Sequence, residues 1–394
     1  MVGKVVGVAT LLAGGTKTLP HNLVKLNPSH RMLDNATAAE DVCAFTAASR
    51  FHHSLKFESK TTQKPLRVTY ATVGCQDSDS PTILFAGGLY GGRWNGLWID
   101  HLCQQKRIRV VIIDRPGFGG STAVALDQRI PVWLETVPIL LRHLNVDKVT
   151  LAAHSSGVIY LFNTVYHLPE ILTPEPTIHL ISPWVHPSKS GAKMLTIASA
   201  MPAGLVTGWN KMTSFLVNRL MPSSAPTDQG KKRNKKDPQS DSAVTADEET
   251  LLETCGLSSA AKQPTRDYFV KMFFEEDTSG VADEAKLGLK TGSGVSWGIC
   301  DDYETFATQL ADKVGKNNKL HIVAYFGEND GYVGKGGCQY FHRVWGSDTV
   351  RQSISAEVHE VPGMNHDDLT LPEHGVLGQI FDWASHREYR KMHK

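Results

Sequence analysis

Three patterns of apolar and polar positions divide the chain. H-S-L-K-F-E-S (53 to 59) and L-R-V-T-Y-A-T-V (66 to 73) alternate apolar with polar residues. That is the period of a strand with one exposed face, and the two read as an antiparallel pair. From residue 82 the pattern becomes short continuous apolar runs bounded by Gly or Pro: T-I-L-F-A (82 to 86), V-V-I-I (110 to 113), V-T-L-A-A (149 to 153), I-H-L-I (178 to 181) and H-I-V-A-Y-F (321 to 326). Such runs fit strands covered on both faces. Between them, W-I-D-H-L-C-Q-Q (98 to 105) and V-W-L-E-T-V-P-I-L-L-R-H-L (132 to 144) repeat apolar residues at three and four, the second with Pro131 at its start. Strands alternating with helices predict a mostly parallel, doubly wound α/β sheet.

Two stretches break this alternation. Residues 16 to 50 are mixed and polar, interrupted by Pro20 and Pro28, and read as a tail with one short helix near 37 to 49. After I-H-L-I-S-P-W (178 to 184) the strand pattern stops for more than a hundred residues, resuming near 319. The segment 194 to 221 carries Leu, Met and Val at helical spacing with few charges. Residues 222 to 248 hold almost no apolar side chains and are expected to be disordered. R-D-Y-F-V-K-M-F-F (266 to 274) and Y-E-T-F-A-T-Q-L-A-D-K-V (303 to 314) read as helices. The expected organisation is therefore a tail (1–50), a first core part (51–185), a helical insertion (186–300) and a second core part (301–394).

Composition excludes several functions. At 394 residues the chain is long enough for one large α/β core with insertions. With 41 basic and 40 acidic residues the formal charge is +1, which gives no global field for nucleic acid or anionic membranes. The six cysteines (Cys43, Cys75, Cys103, Cys255, Cys300, Cys338) show no C-x-x-C and no zinc-ligand spacing, so free thiols in a reducing, cytoplasmic setting are expected. No apolar run reaches the 18 or so residues of a membrane span. Residues 1 to 15 could instead serve as a secretion signal, although only Lys4 precedes the apolar run and Gly7, Thr10 and Gly14 dilute it. K-K-R-N-K-K (231 to 236) resembles a nuclear-localisation cluster, with a solvated charged loop as the plainer reading.

In a doubly wound sheet, reactive groups gather at the carboxyl ends of the strands. The third predicted strand ends in A-G-G-L-Y-G-G-R-W (86 to 94), the fourth in D-R-P-G-F-G-G-S-T (114 to 122) and the fifth in A-H-S-S-G (153 to 157). A strand that reverses sharply into a helix strains the residue at the turn and needs small residues two before and two after it. Ala153 and Gly157 are those residues if Ser155 is at the apex. Ser156 at the apex would put His154 and Val158 there, so the spacing selects Ser155.

A-H-S-S-G at the end of an apolar strand resembles the nucleophile elbow of the α/β-hydrolase superfamily, with Ala153 in place of the first glycine. G-G-L-Y-G-G-R (87 to 93) stands where that family carries a histidine-glycine turn, with Gly87 in place of the histidine. D-R-P-G-F-G-G-S (114 to 121) resembles the loop after its fourth strand. The resemblance spans about 50 to 185 and 300 to 390. It implies the α/β-hydrolase fold with a helical cap inserted after strand 6, and the order nucleophile, acid, histidine. G-E-N-D-G-Y-V (327 to 333) nominates Asp330 as the acid, and V-H-E-V-P-G-M-N-H-D-D (358 to 368) nominates His366 as the base. Backbone N–H groups of Ser156 and of Leu89, with Gly88 as second choice, are implied as oxyanion donors.

Rival residues are Glu328 for Asp330, and His154 for His366, although His154 faces away if Ser155 is the apex. Asp367 and Asp368 are expected to be solvated and Asp114 to anchor its loop. G-F-G-G-S-T (117 to 122) fails as a dinucleotide loop because residue 122 is Thr, and G-G-T-K-T (14 to 18) lacks the spacer of a phosphate loop. Serine at 155 also argues against the epoxide-hydrolase and dehalogenase branches, which use aspartate there.

The expectation is a serine hydrolase that cleaves an apolar, small-molecule carboxylic ester or related acyl bond through an acyl-enzyme, with no cofactor, metal or nucleic acid. An acyltransferase, a carbon–carbon bond hydrolase and a non-catalytic binding protein of the same fold are the alternatives. The sequence leaves the oligomeric state open.

Overall fold

The computed structural model describes residues 44–192, 246–292, 294–315 and 320–392. The expected tail before residue 44, the apolar helices expected at 194 to 221 and the basic cluster at 231 to 236 lie outside the described residues.

Eight strands form one sheet in the order β1-β2-β4-β3-β5-β6-β7-β8. They are β1 (His53–Glu58), β2 (Pro65–Gly74), β3 (Thr82–Ala86), β4 (Arg109–Ile113), β5 (Thr150–His154), β6 (Thr177–Ile181), β7 (Leu320–Gly327) and β8 (Ile354–Val361). β2 runs antiparallel to both β1 and β4, and every other pairing is parallel. Every residue of β3, β4, β5 and β6 is buried. Their sequences are continuous apolar runs for that reason, whereas β1 at the edge alternates.

Helices cover both faces. Alternate strand residues point opposite ways: Leu84, Ala86, Val111, Ile113 and Leu151 pack with α2 (Arg129–His143), α3 (Gly157–His167), α7 (Tyr303–Val314) and α8 (Gly334–Trp345). Ile83, Phe85, Val110, Ile112 and Ala152 pack on the other side with α1 (Gly96–Gln105) and α9 (Val376–Met392). Helix α2 begins at Arg129, so Pro131 lies in its first turn and not at its first position. That turn has no intrahelical partner for its N–H groups, and a proline costs nothing there.

Between β6 and β7 the chain forms α4 (Glu248–Cys255), α5 (Ser259–Glu275) and α6 (Gly280–Leu289). Phe273 of α5 lies 6.2 Å from Tyr90 and 6.4 Å from Phe118, ring to ring, so α5 packs on the turns that follow β3 and β4. The sequence pattern predicts α5 and α7, but not α6. Among the described residues no helix is long and apolar enough to cross a membrane, and Cys75, Cys103, Cys255, Cys300 and Cys338 are free thiols.

Candidate active site

Parallel register aligns the carboxyl ends of β3, β5 and β6, with Ala86 opposite Ala153 and Ala153 opposite Leu180. The turn after β5 places Ser155 at φ +50°, a left-handed conformation that a non-glycine residue adopts only under constraint. Neighbouring strands supply the constraint. Ser155 N–H donates to Ile181 O at 3.0 Å, and Ser155 O accepts from Val158 N–H at 3.1 Å and Trp184 N–H at 3.2 Å. Two residues on, Gly157 opens α3 so close to β3 that a Cβ there would stand 2.1 Å from Ala86 O. Gly157→Ala is accordingly expected to lower stability by about 2 kcal/mol, since the obstacle is backbone; a denaturant titration showing less than about 0.5 kcal/mol would contradict it.

The Ser155 hydroxyl meets a histidine that is distant in sequence. His366, in the turn after β8, brings Nε2 to 2.8 Å from Ser155 Oγ, and its Nδ1 lies 2.7 Å from Asp330 Oδ2. Asp330 follows β7. Its other oxygen accepts from Tyr332 N–H at 2.8 Å and Val333 N–H at 2.9 Å. All three side chains are buried. Burial pushes the Asp330 carboxyl up, but the adjoining His366 and the two backbone donors outweigh it and hold it below the usual carboxylate range. Burial pushes His366 down, yet the Asp330 carboxylate beside it leaves its pKa raised above the ordinary histidine value.

The rival residues take other positions. His154 is buried, with Nε2 3.3 Å from His366 O and 3.5 Å from Asp367 Oδ1. Burial first, and His366 second, lower its pKa to about 3, so it stays neutral across the physiological range. Glu328 is exposed and accepts from Gly363 N–H at 3.0 Å, away from His366. Asp368 caps Asn365 N–H at 2.9 Å. Asp367 is only half exposed and faces His154, so neither of these acids is free in solvent as expected. Asp114 is buried and accepts from Thr69 Oγ1 at 2.6 Å and from Arg93 N and Nη1 at 2.7 Å each. It anchors the loop after β4.

The turn after β3 folds onto itself: Gly91 N–H donates to Gly88 O at 2.8 Å. A Cβ on Gly91 would lie 2.4 Å from the Gly87 Cα, and one on Gly88 would lie 3.1 Å from Ser155 Cβ. Glycine at 87 therefore lets this turn close tightly. Among the described residues the amides of Gly88, Leu89 and Ser156 have no hydrogen-bond acceptor, and the buried Ser156 hydroxyl is unpartnered as well. Three unused N–H groups beside a serine hydroxyl can receive a developing negative oxygen. His154, His366 and Asp367 offer metal-ligand atoms within 4.8 Å of one another. A metal there would compete for a histidine whose two nitrogens already face Ser155 and Asp330.

Solved structures share this architecture. An epoxide hydrolase of Vigna radiata superposes with a TM-score of 0.51 at 14% identity, covering 86% of this chain and 99% of that one. An esterase from Rhodococcus sp. ECU1013 gives 0.50 at 12% identity, covering 85% and 98%. This chain has the α/β-hydrolase fold. No protein-family model matches the sequence, and no curated protein matches it either. At such identities the likeness concerns the α/β-hydrolase fold alone, so function is argued from the residues at the strand ends.

Proposed function

We propose that this protein is a serine hydrolase acting on a carboxylic ester or related acyl bond through an acyl-enzyme. The observation that carries the reading is the hydrogen-bonded chain from Ser155 Oγ through His366 to Asp330, at 2.8 and 2.7 Å, with its serine in a strained turn. Ser155 Oγ attacks the acyl carbon while its proton passes to His366 Nε2. The carbonyl oxygen becomes an oxyanion facing the Ser156 amide and that of Leu89 or Gly88. The leaving group takes the proton from His366, and water then repeats the cycle on the acyl-enzyme to release acid and free Ser155. Asp330 holds the imidazole tautomer and stabilises the imidazolium.

The helices between β6 and β7 are read as the cap, within the proposed 186–300 insertion. The contacts of Phe273 with Tyr90 and Phe118 support that reading, because they place apolar rings against the turns after β3 and β4, the first of which borders Ser155. The substrate proposed on this basis is a small molecule with an apolar acyl group.

The test is hydrolysis of a panel of p-nitrophenyl esters of increasing acyl length, measured against pH. Turnover of at least one ester is expected, and a flat zero across the panel contradicts ester hydrolysis. Only neutral His366 can accept the serine proton, so kcat/KM is expected to rise with pH through the raised pKa of His366. The acid limb should therefore have its midpoint above the ordinary 6.5; a midpoint at or below that value contradicts the assignment. By linkage, protonated His366 contributes stability fully below pH 6.5, and that contribution is lost as the pH rises through its folded-state pKa.

A further inference from the structure

Beside the Gly87–Leu89 turn lies a buried charge cluster. Arg115, second residue of D-R-P-G-F-G-G-S, joins Arg129 at the start of α2, Tyr160 on α3 and Glu284 on α6, and none is more than 1% exposed. Glu284 Oε1 accepts from Arg129 Nε at 2.9 Å, from Arg129 Nη2 at 2.5 Å and from the Tyr160 hydroxyl at 2.5 Å. Arg115 Nε stands 3.4 Å from Glu284 Oε2, and its guanidinium lies 5.1 Å from the centre of the Tyr160 ring. Burial raises the Glu284 carboxyl, but Arg115 and Arg129 together hold it below the usual range, so it is ionised. Two cations against one anion in the core are costly to desolvate.

The far end of Arg115 shows what that cost secures. Nη1 donates to Gly87 O at 2.5 Å and Nη2 donates to Gly88 O. Those two carbonyls belong to the peptide units whose N–H groups are those of Gly88 and Leu89. A trans peptide is planar, with C=O and N–H directed oppositely, so one rigid fork fixes where both amides point. A cation on the carbonyl also draws electron density from the same unit and strengthens its N–H as a donor.

We propose that Arg115, held by Glu284, is a positioning residue that orients and polarises the Gly88 and Leu89 amides as oxyanion donors for Ser155. This rests on the acyl-transfer reading above. Helix α6 thus reaches into the core from the segment between β6 and β7, so the oxyanion turn depends on a residue that follows it by nearly two hundred positions.

Arg115→Lys keeps a cation opposite Glu284, but an ammonium lacks the planar fork that spans two carbonyls. It is expected to lower kcat about 10- to 100-fold, with KM within about twofold. Affinity for benzeneboronic acid, which forms a tetrahedral adduct on the serine, should fall by the same factor as kcat, while affinity for the carboxylate product stays unchanged. Glu284→Gln should give the same pattern at smaller amplitude, and it carries the test if Arg115→Lys does not fold. A merely structural role would lower thermal stability without separating kcat from KM. Folded variants whose kcat and boronate affinity stay within about twofold of wild type overturn the proposal while leaving the hydrolase reading intact. A wild type that forms no boronate adduct and turns over no ester overturns both.

Discussion

Ser155→Ala is expected to lower kcat on the order of 10⁶-fold while leaving the fold in place. In the proposed mechanism the hydroxyl is the atom that bonds the acyl carbon, and neither His366 nor Asp330 can replace it. The substitution removes one buried oxygen whose hydrogen-bond partner is His366 Nε2, and it retains the Cβ that packs in the turn. Alanine meets the same left-handed φ of +50° as serine does, so the backbone strain is common to both proteins. Circular dichroism and the thermal midpoint should match wild type, with activity reduced to what the oxyanion amides supply alone. Retention of more than about one percent of kcat would mean that Ser155 is not the nucleophile.

Asp330→Asn is expected to lower kcat by about 10⁴-fold. The carboxylate oxygen 2.7 Å from His366 Nδ1 fixes that nitrogen as the protonated one, leaving Nε2 free to accept from Ser155. An amide at this place can present N–H to Nδ1 and so hold the wrong tautomer. The remaining side-chain oxygen can still accept from Tyr332 and Val333 N–H, so the turn should survive. Loss of the carboxylate also removes the partner that raises His366, so the acid limb of any residual activity should move to lower pH. An acid limb that does not move would place another group in charge of the proton.

The fold is legible in the chain because burial on both faces leaves β3 to β6 as uninterrupted apolar runs. The apex at Ser155 is legible from spacing: the structure puts Gly157 where even a methyl would strike the Ala86 carbonyl. Asp330 and His366 are a different case, since local pattern leaves Glu328 and His154 as competitors. The motif order of a resembling family nominates them, and the structure brings His366 to Ser155 and Asp330 to His366.

Helix α6 was not legible. Its inward face carries Glu284, a charged residue that interrupts the apolar period and is buried only because Arg115, Arg129 and Tyr160 converge on it from three other parts of the chain. Arg115 is hidden for the same reason: no local pattern marks it within its loop, and its partners are set by tertiary structure.

The most direct test of the central claim is fluorophosphonate labelling of the purified protein, followed by mass spectrometry of the modified peptide. A serine activated by His366 and Asp330 should react to one adduct per chain, on Ser155, and Ser155→Ala should remain unlabelled. An unlabelled wild type, or a Ser155→Ala protein that labels as strongly, would contradict the account.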